Sequence, residues 1–262
     1  MLVTDRKILK YNIKEIHFSD QPYDMEGCDM LKFHYCTKKV DVKGFTCKKE
    51  LTSFIDLTQD IETIWNNMGN KSTRSKIKRA RRENITIHIN KYHEEFLEIF
   101  KSFSQKKGIK SFFDSFGVGS ISIEYMKKYG ILFMYEHDNE ILGGNLYLED
   151  DSHFKALLSA SKRLEVDKTK SRIIGFANRL TDWEAIIYAK EKGLKVFDWC
   201  GLWPEEEAEK DSAKKGINDF KLGFGGTIEP VYTYEKIYSK SLKLAYQLYN
   251  LKNQRLRGGG QN

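Results

Sequence analysis

Three strand-forming segments in immediate succession constrain the fold of this chain more than any other feature. Ile131 to Glu136, Ile141 to Leu148 and Phe154 to Ala160 are separated only by two four-residue runs rich in Asp, Asn, Glu and Ser. Side chains of these types favour tight turns, and turns this short join neighbouring strands of one sheet. The spacing therefore predicts an antiparallel meander.

The segments around the meander predict a mixed α+β domain. Two helices precede it from Tyr92 onward, and a long helix with an apolar stripe at Phe176, Leu180, Trp183 and Ile187 follows it. Asp182 and Glu184 are interpreted as the exposed face of that helix. A strand over Lys195 to Cys200, a helix over Ile217 to Leu222 and a strand over Ile228 to Ile237 complete the order ααβββαβαβ.

The first ninety residues predict a separate, shorter region. Strands are expected over Lys7 to Ile13, Met30 to Cys36 and Leu51 to Leu57, and Thr58 is expected to cap a helix that carries Ile61, Ile64, Trp65 and Met68. The predicted domains are therefore an incomplete N-terminal region over 1–90, the main domain over 91–240, and a C-terminal helix with a flexible tail over 241–262.

Composition excludes several classes of protein. No window approaches the roughly 18 apolar residues of a membrane-spanning helix, and the start is too polar for a signal peptide, so a cytoplasmic protein is expected. The excess of 44 Lys and Arg over 37 Asp and Glu favours polyanionic partners. A zinc site from Cys28, His34, Cys36 and Cys47 lacks the short ligand pairs of structural sites, and no metal is predicted.

The positive charge is concentrated between Lys71 and Arg82, where seven of twelve residues are cationic. On a helix, Arg74, Lys78 and Arg81 share one face at i, i+4 and i+7. A solvated face is the ordinary interpretation of such a helix. Repulsion among so many like charges is relieved by a phosphate backbone, so we predict that Lys71, Arg74, Lys78 and Arg81 contact RNA or another polyphosphate.

Two local motifs resemble the GNAT acyltransferases. The run from Arg172 to Ala177 resembles the Arg/Gln-x-x-Gly-x-Gly/Ala pattern, and this resemblance implies that Arg172, Gly175 and Ala177 bind the pyrophosphate of coenzyme A; an ordinary helix start is the alternative. The run from Phe220 to Gly226 resembles the end of many GNAT domains. Asp219 stands where many of those enzymes have a tyrosine that protonates the departing thiolate. The implied fold is GNAT-like, with a mixed, mainly antiparallel sheet.

A broader set of motifs is similar to FemABX-like proteins. It comprises, in family order, Phe54 to Leu57, Trp65, Lys71 to Ala80, Gly143-Gly144, Ala160-Ser161, Trp183 to Ile186, Phe197 to Gly201 and Phe220-Lys221. That resemblance implies an aminoacyltransferase that uses aminoacyl-tRNA as donor, with no tightly bound cofactor, and adds the aminoacyl group to an amine of a peptidoglycan-precursor-like peptide. It also implies a role for Lys221 at the transfer site.

The chemistry of acyl transfer selects two catalytic candidates. No nucleophile motif is present, so catalysis is expected to depend on positioning and on donors for the oxyanion. Lys221 would stabilise the oxyanion or the departing alkoxide, helped to stay charged by the adjacent Asp219. Asp198, at a strand end, would orient the amine or cap the following turn. Acyl-coenzyme A is the alternative donor, and a catalytically silent RNA-binding module is the second alternative.

Overall fold

Two compact units make up the computed structural model, which describes residues 1–69, 71–107 and 121–248. The first unit contains residues 1–49 and 231–248 of the described chain, and the second contains residues 50–69, 71–107 and 121–230. The units divide the chain differently from the predicted boundaries, because residues 50–90 belong to the second unit. The predicted tail beyond 248 lies outside the described residues.

The helices and strands follow the predicted order with additions. The strands are β1 (Leu2–Ile8), β2 (Tyr11–His17), β3 (Met30–Cys36), β4 (Thr46–Asp56), β5 (Ile85–Ile89), β6 (Gly130–His137), β7 (Glu140–Glu149), β8 (His153–Ser161), β9 (Val196–Asp198) and β10 (Thr227–Ile237). The helices are α1 (Ile61–Asn66), α2 (Lys71–Ala80), α3 (His93–Lys106), α4 (Ile123–Tyr129), α5 (Lys168–Glu191), α6 (Glu205–Glu209) and α7 (Ser212–Leu222), and the chain is also helical over 240–248.

The sheet of the second unit has the order β4-β9-β8-β7-β6-β5. All neighbours are antiparallel except β8 and β9, which are parallel. The sheet is thus mixed and mainly antiparallel, and the predicted meander is confirmed as β6-β7-β8. β5, which was not predicted, pairs with β6 and adds a strand before the predicted ααβββαβαβ order. This arrangement is the GNAT-like α+β fold.

The turns of the meander form for identifiable chemical reasons. Asp138 and Asn139 both take positive φ, of 51° and 61°, which Asp and Asn tolerate better than most residues and which a two-residue hairpin requires. In the second turn the Asp150 carboxylate accepts hydrogen bonds from the backbone N–H groups of Ser152 and His153 at 2.9 and 2.8 Å. Local side-chain chemistry therefore fixes the register of the three strands.

An opening separates the parallel strands β8 and β9. Their register covers only residues 153–155 against 196–198, whereas β8 stays paired with β7 as far as Ser161. Beyond Lys155, the β8 edge that faces β9 carries backbone groups for which the described residues supply no strand partner. Such an edge offers hydrogen-bond donors to a ligand.

Helix α5 packs against β6 and β7 and has well-defined ends. The Asp167 carboxylate caps its first turn through the N–H groups of Thr169 and Lys170. Gly193, with φ of 81°, follows the C-terminal end of this helix. Leu180 and Trp183 of the predicted stripe are buried, whereas Phe176 and Ile187 are half-buried. The buried face of the helix is broader than this stripe. It also includes Ile174, Ala177, Thr181, Asp182, Ala185, Ile186 and Ala189.

The first unit contains the strand order β1-β2-β3-β10. β1 and β2 form an antiparallel hairpin, β2 and β3 are parallel, and β3 and β10 are antiparallel. The single strand predicted over Lys7 to Ile13 is wrong, because Leu9 and Lys10 form the hairpin turn. In the described ranges, no helix is both long and apolar enough to cross a membrane.

Candidate active site

Lys221 lies in the last turn of α7 and reaches into the interior of the second unit. Its Nζ donates to the backbone carbonyl oxygens of Cys200 at 3.0 Å and Gly201 at 2.6 Å. A lysine ammonium has three N–H donors, and these two carbonyls are the hydrogen-bond acceptors recorded for it among the described residues. The third N–H therefore remains for a ligand.

Asp198 holds the turn that Lys221 contacts. Asp198 ends β9, is 4% exposed, and accepts hydrogen bonds on Oδ1 from the Thr52 hydroxyl at 2.5 Å and from the Cys200 N–H at 2.8 Å. Cys200 has a φ of 60°, a left-handed conformation that the carboxylate stabilises. The structure thus brings the two predicted catalytic residues together, with the carbonyl groups of Cys200 and Gly201 between them.

Opposing effects act on the charge of Lys221. Burial lowers the pKa of Lys221, whereas Cys200, Asp198 and Asp182 act in the opposite direction. The carboxylates that favour its charged form are therefore Asp198 and Asp182, and not Asp219 as the sequence predicted. The net lowering makes the ammonium a stronger acid than an exposed lysine.

Asp182 is a further member of this site that the sequence interpretation missed. It is 3% exposed, and its Oδ1 accepts from the Tyr147 hydroxyl at 2.7 Å and from Asn145 Nδ2 at 2.9 Å. Burial raises the pKa of Asp182 to about 7, although the two hydrogen bonds, Arg179 and Lys221 oppose that rise. Its interpretation as an exposed helix residue is wrong. The sequence signal that could have indicated this burial is Asn145. It lies in a strand that is buried from Leu142 to Leu148, and a buried amide side chain needs a hydrogen-bond partner.

Two further cations, Arg179 and Lys76, interact electrostatically near this site, and Arg179 contacts Phe220. The guanidinium of Arg179 sits 4.6 Å from the centre of the Phe220 ring and donates to the Gly175 carbonyl at 2.9 Å. Burial lowers the pKa of Arg179, and burial together with Arg179 lowers that of Lys76. The charge of Arg179 thus acts on Lys76, and neighbouring like charges create a positive potential that favours an anionic ligand.

The predicted pyrophosphate motif lies inside a helix. Arg172, Gly175 and Ala177 occupy the second and third turns of α5, whose first-turn N–H groups are already capped by Asp167. Ala177 is fully buried, Arg172 is exposed, and a Cβ at Gly175 would meet no atom within 4 Å. The structure does not bring these three residues to a helix N-terminus, and their role stays a prediction.

The residues predicted to contact RNA have different local roles. α2 begins at Lys71, whose side chain lies outside the described residues. Arg74 donates to the carbonyl groups of Trp65 and Asn66 at 3.3 and 2.8 Å, at the end of α1, and Arg81 forms an ion pair with Glu184 at 3.2 Å. Lys78 lines a cleft of about 330 Å³ together with Arg74, Ser75, Arg79 and Arg82.

One cluster in the first unit has the side chains of a metal site. Glu15 and His17 of β2 and His34 of β3 have ligand atoms within 4.8 Å of one another. The buried Arg6 guanidinium lies 2.5 Å from Glu15 Oε1, and His34 Nε2 contacts the same oxygen at 2.9 Å. The charge of this carboxylate is thus already balanced by arginine. Cys28, His34, Cys36 and Cys47, the set that the sequence analysis weighed and did not predict as a metal site, do not form such a cluster within the described residues.

The mixed sheet with its opening between β8 and β9 has the GNAT-like fold. Similar solved structures include FemX, with a TM-score of 0.61 and 14% identity over 94% of this chain and 85% of that chain. They also include the C-terminal domain of a putative lysylphosphatidylglycerol synthetase from Agrobacterium fabrum, with a TM-score of 0.55 and 13% identity over 95% and 84%. L-PGS from Bacillus licheniformis gives a TM-score of 0.51 and 13% identity over 93% and 83%. No protein-family model and no curated protein matches the sequence.

Proposed function

We propose that this protein is an N-acyltransferase that moves an aminoacyl group from aminoacyl-tRNA to an amine of a peptide acceptor resembling a peptidoglycan precursor. The observation that carries the proposal is the Lys221 ammonium, held by two carbonyl groups beside the β8–β9 opening with one N–H remaining. The fold similarity to FemX and to lysylphosphatidylglycerol synthetase domains supports it, since the name of the latter states the transfer of a lysyl group.

The reaction is a direct transfer with no covalent enzyme intermediate. The neutral amine nitrogen attacks the ester carbonyl carbon, and a C–N bond forms while the C–O bond to the ribose breaks. The attacking nitrogen loses one proton and the departing ribose oxygen gains one, so the reaction needs no external proton. Backbone N–H groups on the β8 edge would stabilise the tetrahedral oxyanion.

Lys221 and Asp198 have complementary roles in this proposal. The remaining N–H of Lys221 donates to the departing oxygen, and its lowered pKa makes that donation easier. The two hydrogen bonds recorded for Asp198 both end on Oδ1, so Oδ2 is placed to accept from the acceptor amine and orient it. Asp182 acts through Lys221 as a positioning residue.

The choice of RNA over coenzyme A rests on charge. Asp167 occupies the first-turn N–H groups of α5 that a coenzyme A pyrophosphate would use. In contrast, α2 presents a cationic cleft with Arg74, Lys78, Arg79 and Arg82. A cleft with four cations suits successive phosphates of a nucleic-acid strand.

The test is a transfer assay with the purified full chain and radiolabelled aminoacyl-tRNA. The acceptor arms are a lysine-containing peptide and vesicles of phosphatidylglycerol, and a parallel donor arm uses radiolabelled acetyl-coenzyme A. We expect label on the peptide from aminoacyl-tRNA, with loss of this label in Lys221→Met. Transfer from coenzyme A alone, or transfer to lipid alone, would contradict the proposed donor or acceptor, and RNA binding without transfer to either acceptor would identify a silent module.

A further inference from the structure

An aromatic groove lies between α1 and α5 in the second unit. Ile61 and Trp65 of α1 form one wall at i and i+4, and Trp183 and Ile187 of α5 form the other wall with the same spacing. The Trp65 and Trp183 rings meet edge to face at 4.9 Å. The groove encloses about 300 Å³, within the range of small-ligand sites, which is about 300–1,000 Å³.

The groove and the cationic cleft are lined by residues that adjoin each other in the chain at the end of α2. Arg81 lines the aromatic groove, whereas its neighbour Arg82 lines the cationic cleft with Lys78. Arg81 follows the last residue of α2 and its N–H still donates to the Ile77 carbonyl oxygen at 3.1 Å, so the helical rise of 1.5 Å per residue places Lys78 and Arg81 about 4.5 Å apart along the helix axis. A flexible strand that follows the phosphate-binding side chains therefore reaches the aromatic groove within one or two nucleotides.

We propose that the groove of Ile61, Trp65, Trp183 and Ile187 binds one unstacked base of an RNA strand whose phosphates lie along Lys78, Arg79 and Arg82. The inference rests on the proposed function, in which the donor is an RNA. A positive groove combined with aromatic side chains is the arrangement by which single-stranded nucleic acid is bound, because every base has a stacking face. The base would stack on Trp65, the half-buried ring of the pair.

The groups at the rim fit this occupant. The Arg81 side chain is 51% exposed, and its ion pair with Glu184 at 3.2 Å is of the exposed kind that contributes little. Arg81 can therefore exchange this partner for a phosphate. The exposed carboxylate of Glu62 lies at the same groove and can accept hydrogen bonds from the amino group of a base. Arg79 is paired with Glu83 at 2.6 Å, whereas Lys78 and Arg82 have no ion pair within the described residues, and an apolar peptide would leave these two cations without a counter-charge.

The test uses the full chain and short single-stranded RNAs of one sequence, with or without a single abasic position moved along the strand. We expect at least one abasic position to weaken binding about ten-fold, as the loss of one stacked base does. Trp65→Leu should bind the intact RNA and that abasic RNA equally. RNA should quench the tryptophan fluorescence of the wild-type protein and quench Trp65→Phe less. Trp203→Leu is the control, since Trp203 is exposed and carries Lys214 over its ring.

The phosphate part of the site has its own control. The double variant Lys78→Gln with Arg82→Gln should weaken the binding of intact and abasic RNA equally and reduce the salt dependence of binding. The control is Lys210→Gln with Lys215→Gln, which changes the charge equally at exposed positions and should have neither effect. Equal affinity of the wild-type protein for all abasic RNAs, or unchanged discrimination in Trp65→Leu, would overturn the base site. If the protein distinguishes intact from abasic RNA but transfers no acyl group, the proposed function is refuted and the base site is not. If the protein transfers the acyl group and Trp65→Leu leaves the KM for the donor unchanged, the base site is refuted and the proposed function is not.

Discussion

At the scale of single residues, the most informative group is a lysine whose charge is opposed by burial. An ammonium that loses solvent prefers to lose its proton, and nearby carboxylates oppose that loss. Lys221 is subject to both effects, through its own burial and through Asp198 and Asp182. A group whose pKa is lowered in this way donates a proton more readily than an exposed lysine does.

Lys221→Met should lower turnover about 100-fold at saturating aminoacyl-tRNA and leave donor affinity nearly unchanged, since the lost interaction acts on the departing oxygen in the transition state. Steady-state transfer rates and a separate binding titration check both values. The control is Lys215→Met on the same helix, where the side chain is exposed. Unchanged turnover in Lys221→Met would remove this residue from the mechanism.

Asp182 should give protein stability a distinctive pH dependence. Its folded-state pKa of about 7 exceeds the ordinary value of 3.8, so the folded protein holds the proton more tightly than the unfolded chain. This group therefore lowers the free energy of unfolding as pH rises from about 4 to about 7, by about 4 kcal/mol, and adds no further change above that range.

The comparison of Asp182→Asn with the wild-type protein isolates this effect. Urea denaturation gives the free energy of unfolding of each protein at pH 4 and at pH 8. The value for Asp182→Asn minus the value for the wild-type protein should be about 4 kcal/mol more positive at pH 8 than at pH 4. Glu191→Gln, an exposed change on the same helix, should show a difference independent of pH. A pH-independent difference in Asp182→Asn would mean that this carboxyl group titrates normally.

The sequence predicted the two residues that lie in recognisable local motifs, Lys221 and Asp198, and the structure places them together. It did not predict Asp182, because its partners Asn145 and Tyr147 are more than thirty residues away in the chain. Burial of a charged side chain is decided by packing between elements, and helical periodicity alone assigned Asp182 to the surface. A site of this kind is only partly encoded in local pattern.

At the scale of elements, α2 combines a structural and a surface role. Arg74 donates to the carbonyl oxygens of Trp65 and Asn66 at the end of α1, whereas Lys78 lines the cationic cleft. The cationic residues of this helix, which look alike in the sequence, thus have different structural roles. Stability measurements can distinguish them.

Arg74→Gln should lower the free energy of unfolding by about 1–2 kcal/mol, because two hydrogen bonds from a charged donor are lost. Lys78→Gln should change it by less than about 0.5 kcal/mol, as exposed substitutions do. Urea denaturation at one pH measures both. Equal effects of the two substitutions would contradict the assignment of Arg74 to the junction of α1 and α2.

Gly175→Ala should raise the free energy of unfolding by about 0.5–1 kcal/mol, since Gly175 lies inside α5 and a Cβ there meets no neighbouring atom. Transfer from aminoacyl-tRNA should be unchanged. Gly144→Ala provides the contrast, because its Cβ would lie 2.7 Å from the Phe133 carbonyl oxygen and must destabilise the meander. Loss of activity in Gly175→Ala would instead favour a donor whose phosphate approaches this position.

At the scale of the whole molecule, elements with strong local chemistry were predictable and those set by pairing were not. Asp138, Asn139 and Asp150 mark the meander turns in the sequence itself. The turn at Leu9 and Lys10 has no such residues, although Leu9 takes a φ of 54°, so it escaped prediction. β5 is a five-residue strand at the edge of its sheet, half-buried and stabilised by its pairing with β6. Its local signal is correspondingly weak.

The net charge of +7 gives the last prediction. Exposed cations on α2 attract the RNA donor through solvent, where salt screens them, whereas the Lys221 ammonium acts at short range in a buried site that salt screens little. Raising salt from about 50 to about 200 mM should therefore raise the KM for aminoacyl-tRNA at least ten-fold and change kcat less than about two-fold. A small uncharged aminoacyl ester should show a KM that is nearly independent of salt. A parallel fall of kcat with aminoacyl-tRNA would mean that the transfer step itself depends on screened surface charges.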